Sequence, residues 1–276
     1  LDELRKVLEL ATEEELQYLT NILFARRFNP LDYLKTPQPL DIQSQSWDDW
    51  LDSVESRFRY LAADGMTVLK GKTQQFSYRK ALIQVCRYLK IPYGQKMTAI
   101  ELETEIFLHF ITKAWNKLPI QEKNTLTNRI VRSLSTIKSP VKIESDSLNL
   151  ILKGSSVLAV NSVIKPLLLK YIAQEFALHF ATYNTAKNAI AQGGIIATNQ
   201  FKNYLTLATA KQGMGMTAAR YGAVRTVFSC VGPILWGWFL ADLGWKAIST
   251  NYGRIIPTIL TLAQIRLLRG EIYEFA

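Results

Sequence analysis

The sequence predicts an all-α protein, a multi-helix bundle that ends in a glycine-rich, apolar helical part. Apolar residues recur at helical spacing through most segments, and two Thr-x-x-Glu capping boxes open such runs. No stretch alternates apolar and polar residues between turn signals, so strands are not expected. At 276 residues with 48% apolar and 20% charged side chains, the composition is globular and can bury a sizeable core.

Residues 1–30 read as a short helical module. Leu1, Leu4, Val7, Leu8 and Ala11 share one face, and Thr12 with Glu15 forms a capping box for a second helix. Leu16, Leu19, Ile22 and Leu23 continue the apolar stripe. Pro30, Pro37 and Pro39, with few apolar anchors between them, make residues 31–46 a linker. The acidic amphipathic opening is not that of a signal peptide.

Residues 47–139 read as a central helical domain. Trp47, Trp50, Leu51, Val54, Phe58 and Leu61 line one helix face, with Gly65 as its natural stop. Leu82, Val85, Cys86 and Leu89 line the next helix, which Pro92 ends. Thr98 and Glu101 form the second capping box, ahead of a wide stripe through Phe107, Phe110, Ile111, Ala114, Trp115 and Leu118. Pro119 opens the following helix, expected to be an antiparallel partner. Residues 148–276 form the glycine-rich, apolar C-terminal helical domain.

Charge is unevenly spread. The net charge is +10, yet residues 1–50 hold five basic and ten acidic groups. From Phe201 to Arg269 there are eight Lys and Arg against a single acid, Asp242. This asymmetry favours an anionic partner for the C-terminal part. The uncharged run Thr226–Ala241 is 16 residues long and broken by Pro233, short of the roughly 20 that a spanning helix needs. Two short helices joined by an aromatic, cationic turn fit it better. Trp236, Trp238, Trp245 and Tyr252, with Lys246 and Arg254 beside them, suit a membrane interface. An aromatic-rich soluble core is the competing reading of the same residues.

Catalytic patterns fail one after another. His109 and His179 have no metal-ligand spacing, and neither HExxH nor GxSxG occurs. Gly65 and Gly71 stand one residue too far apart for a phosphate-binding GxxxxGK[ST] loop. Glu101/Glu105 and Asp48/Asp49/Asp52 read as solvated helix faces. Cys86 and Cys230 are too few and too distant for a disulfide framework. No catalytic residue, cofactor, metal or small-molecule substrate is therefore expected, although carboxylates and a histidine could still meet in space. Nucleic acid is an alternative partner. Arg57, Arg59, Lys70, Lys72, Arg79, Lys80 and Arg87 are interleaved with Phe58, Tyr60, Phe76 and Tyr78, a mixture that can follow a phosphate backbone and stack bases.

Several motifs carry a family resemblance. Gly232-Pro233, Lys246-Ala247, "YGRIIP" at Tyr252–Pro257 and "AQIRLLR" at Ala263–Arg269 together resemble the C-terminal signature of bacterial YaaW-like proteins. "RKALIQVCRYLKI" and "MTAIELETEIFLHFITKAWNKL" are similar to their central domain, which is distantly related to ubiquinol–cytochrome c chaperones. "LDELRKVLELATEEELQYLTNILF" resembles a short module found in front of that domain. The resemblance implies an all-helical fold and a non-enzymatic binding role near a membrane. It defines no catalytic residues. "LWGWFLADLGW" is bulkier than the small-residue stretch of that signature, a departure that favours interfacial contact.

The expectation is a membrane-associated, chaperone-like or stress factor in the cytoplasm, peripheral at the inner face of a membrane. Arg225, Trp236, Trp238, Trp245, Lys246, Tyr252, Arg254, Arg266 and Arg269 are its candidate contacts with lipid or a membrane-protein partner.

Overall fold

A computed structural model describes residues 2–25, 36–135, 168–173, 175 and 251–269. Of the described residues 78% are helical and none is in a strand, so the all-α class holds. The described helices share one hydrophobic core.

Helix α1 (Glu3–Leu8) buries Leu4, Val7 and Leu8. Helix α2 (Glu13–Leu23) begins at the expected capping box. The Thr12 backbone N–H donates to Glu15 Oε2 at 2.9 Å, and the Glu15 N–H donates back to Thr12 Oγ1 at 3.4 Å. Within the stretch 31–46, read as a linker, helix α3 (Pro39–Gln43) buries Ile42. Gln43 ties that helix to α2 by donating to Asn21 Oδ1 at 3.1 Å.

Helix α4 (Trp47–Ala62) is capped by Ser46 and buries Trp50, Leu51, Val54, Phe58 and Leu61. Trp47, assigned to the same face, stays 42% exposed. Trp50 has a polar atom to satisfy inside the core. Its Nε1–H donates to Thr20 Oγ1 at 2.7 Å, and the Thr20 hydroxyl donates onward to the Leu16 carbonyl at 2.7 Å. Gly65 is not the stop of α4. The helix ends before it, at an extended Ala63, and Gly65 begins a new helix, α5 (Gly65–Leu69), capped by Asp64.

A 3-10 turn (Thr73–Gln75) leads to α6 (Tyr78–Leu89). Its end is a Schellman motif. Lys90 takes a left-handed φ of 57°, its N–H donates to the Arg87 carbonyl, and the Ile91 N–H reaches back to the Cys86 carbonyl at 2.9 Å. Pro92 supports the stop by disfavouring helical dihedrals at Ile91. Helix α7 (Ala99–Lys117) starts at the second capping box and buries Phe107, Phe110, Ile111, Ala114 and Trp115. The helix laid along α7 is α6, rather than the following α8 (Ile120–Ser135).

The last described helix, α9 (Tyr252–Arg269), organises the rest. Every residue from Arg254 to Ile265 is buried. It packs against α1, α2, α4 and α7, so its whole circumference meets protein. Two threonines on it satisfy their hydroxyls locally, Thr258 on the Arg254 carbonyl at 2.9 Å and Thr261 on the Pro257 carbonyl at 3.0 Å. No described helix is long and apolar enough to cross a membrane.

Candidate contact surfaces

The C-terminal candidates fall into two groups. Arg225, Trp236, Trp238, Trp245 and Lys246 lie outside the described residues. The other four sit on α9, and the core accounts for them. Tyr252 is half-buried and stacks on Tyr88, ring centroids 4.2 Å apart at 17°. Arg254 is 1% exposed. Arg266 and Arg269 do meet acidic groups, as expected, but these carboxylates belong to the same chain.

Arg266 Nε donates to Glu103 Oε1 at 3.0 Å. Tyr78 donates to the other oxygen of Glu103 at 2.7 Å, which completes a buried Tyr–Glu–Arg cluster between α6, α7 and α9. Arg266 also reaches the Glu3 carbonyl of α1 at 3.2 Å. Burial, then the Glu103 carboxylate beside it, pushes the Tyr78 phenol well above its ordinary value, so it remains a donor. Arg269 grips Glu15 in a fork, at 2.6 and 2.9 Å, and bonds the Leu10 carbonyl at 3.2 Å. The capping-box glutamate therefore has a second role that its local spacing does not reveal. A sequence signal for Glu103 does exist: at helical spacing it falls on the apolar face made by Ala99, Ile106, Phe107 and Phe110.

The basic/aromatic set divides as well. Arg59 is 7% exposed and bonds Asp2, Glu55 and the Phe76 carbonyl. Arg57 donates to the Leu23 carbonyl and to Thr36, both at 3.1 Å. Arg79 donates to the Met97 and Gln95 carbonyls, holding the loop that enters α7. Arg87 donates to Tyr93 at 2.7 Å. Lys70, Lys72 and Lys80 are exposed. The aromatics sort the other way. Phe58, Phe76 and Tyr78 are at most 5% exposed, which leaves Tyr60 as the accessible ring of the four. Stacking of bases needs accessible ring faces, so this surface lacks most of that platform.

What remains at the surface is charge of one sign. From Gly65 to Ile100 there is no Asp or Glu, while Lys70, Lys72, Arg79, Lys80, Arg87, Lys90 and Lys96 all fall within the stretch. All of these except Arg79 are exposed. The opposite sign collects on α4. Arg5 draws in Glu9 at 3.1 Å, Asp48 at 3.8 Å, Asp52 and Glu55 at 3.7 Å. Asp49 and Asp52 also line a shallow depression of about 420 Å³ with Gln45, Ser53 and Ser56.

Reactive groups among the described residues are quiet. Burial, and next to it Glu105, raises the Cys86 thiol to about 11, so it is protonated at neutral pH. Burial and then Lys113 lower His109 to about 4, so it is neutral. Its Nε2 has no hydrogen-bond partner among the described residues. Among the same residues, no group of three His, Cys, Asp or Glu could hold a metal ion.

The class these features define is an all-α protein with an internally paired C-terminal helix and one acid-free basic surface segment. No protein-family model, curated protein or solved structure matches the chain.

Proposed function

We propose that this chain is a non-enzymatic helical binding protein, a chaperone-like or assembly factor that docks on an anionic membrane surface. One observation carries the reading: residues 65–100 present six exposed cations and no carboxylate. A Lys or Arg held near an anionic leaflet contributes about 1 kcal/mol, so several of these cations acting together are enough for reversible attachment. The Trp-rich stretch with Arg225, Trp236, Trp238, Trp245 and Lys246 adds interfacial residues of the same preference. The YaaW-like resemblance, with its distant kinship to respiratory-assembly chaperones, belongs to the same proposal.

Co-sedimentation of the full chain with vesicles tests it. Binding is expected to phosphatidylglycerol-containing vesicles, weakening as salt rises, with little binding to phosphatidylcholine alone. No binding to either composition overturns the proposal. Nucleic acid is the comparison arm. A mobility shift tighter than vesicle binding at equal salt, with a steep salt slope, transfers the basic segment to that partner.

A further inference from the structure

Helix α5 poses a physical puzzle. It is five residues long and buries no side chain. A helix that short has no independent stability in water, and here no core face compensates. It is nevertheless closed at both ends. The Asp64 side chain accepts from the Thr67 N–H at 2.8 Å at the start. At the end, Gly71 has a φ of +64°, its N–H donates to the Val68 carbonyl at 3.0 Å, and the Lys72 N–H donates to the Thr67 carbonyl at 3.1 Å. That pair of bonds is a complete Schellman motif, and the left-handed position suits glycine. Beyond it, Gln74 donates to Ser56 Oγ at 2.7 Å and anchors the turn to α4.

The ordered loop displays two large apolar side chains. Met66 is 62% exposed and Leu69 is 83% exposed. Three residues apart on one turn, they project from the same face. Lys70 and Lys72 follow immediately, and the acid-free stretch around the pair runs from Gly65 to Ile100. The nearest carboxylate, Asp64, caps the opposite end of the turn on the Thr67 N–H, and an apolar pair followed by cations is complementary to the boundary between anionic headgroups and acyl chains.

We infer that the α5 turn is a preformed membrane wedge: Met66 and Leu69 enter the acyl boundary while Lys70 and Lys72 contact anionic headgroups. The inference rests on the anionic-surface reading above and names the part of the chain that inserts. The two caps hold the turn ordered in advance, so little ordering remains to be done on docking.

The experiment compares vesicle binding of the full-length protein with that of three variants across a salt series. Met66→Ser/Leu69→Ser is expected to weaken binding to phosphatidylglycerol-containing vesicles by roughly tenfold or more, the loss that follows from withholding one or two such side chains from an apolar phase. The loss persists at high salt. Lys70→Glu/Lys72→Glu instead flattens the salt dependence. Ile120→Ser removes an apolar side chain that is 76% exposed outside the basic segment, and binding is unchanged. Because α5 buries nothing, the Met66/Leu69 variant keeps the wild-type unfolding midpoint, which separates lost docking from lost folding. Wild-type binding by Met66→Ser/Leu69→Ser at every salt overturns the wedge and leaves the anionic-surface reading intact. An equal loss from Ile120→Ser also overturns it. Failure of the wild type to bind any vesicle removes both.

Discussion

Helices α9 and α5 are opposites. In α9 every residue from Arg254 to Ile265 is buried, and Arg266 and Arg269 are paired with carboxylates of the same chain. In α5 no residue is buried, and the cations beside it face solvent. Helix α9 carries its arginines within an apolar run, and α5 is followed at once by Lys70 and Lys72, so the two stretches look similar in sequence. The comparison teaches that apolar-plus-basic composition does not locate an interface. The neighbours do: four helices surround α9, whereas α5 rests on its caps and the turn after it.

The sharpest way to break this contrast is to remove a paired arginine. Arg266→Met leaves the Glu103 carboxylate buried without its cation, and about 3–5 kcal/mol of stability is expected to disappear in urea unfolding. Adding Glu103→Gln restores part of it, because a neutral amide still accepts from Tyr78. Ile259→Ala opens a cavity at the centre of α9 and is expected to cost about 3 kcal/mol.

The pH dependence has a definite sign at His109. Its native value of about 4 lies below the ordinary 6.5, so between these values the unfolded chain binds more protons. Stability contributed at this position is present above 6.5 and is lost as pH falls toward 4. His109→Leu should narrow the fall in urea midpoint between about pH 7 and pH 5. Lys90→Gly relieves a left-handed non-glycine residue and should raise stability by about 1 kcal/mol. The smallest effect belongs to α5: Leu69→Ala should shift stability by no more than about 0.5 kcal/mol, since the side chain is 83% exposed. A large loss there would mean that α5 supports the core after all.

Legibility followed the range of the interaction. Both capping boxes join residues three apart, and both form as read, at Thr12/Glu15 and Thr98/Glu101. The apolar stripes through Leu16 and Leu19, and through Phe107 to Trp115, are also local patterns and turn inward as expected. Gly65 misled because a glycine after a helix resembles a left-handed cap, whereas Asp64 beside it is the stronger local signal for a new start. The arginines misled for a different reason. Arg266 finds Glu103 across 163 residues, and Arg269 finds Glu15 across 254. No periodicity encodes such a pairing.

By itself, then, the sequence determined the helical class, the places where most helices start, and which faces are apolar. These follow from backbone hydrogen bonding and side-chain spacing within a few residues. Only the tertiary structure decided which cations are paired inside and which remain for a partner. That choice depends on which side chains the packing of distant helices removes from water, and burial of a charge is tolerated only where an opposite charge lies within reach.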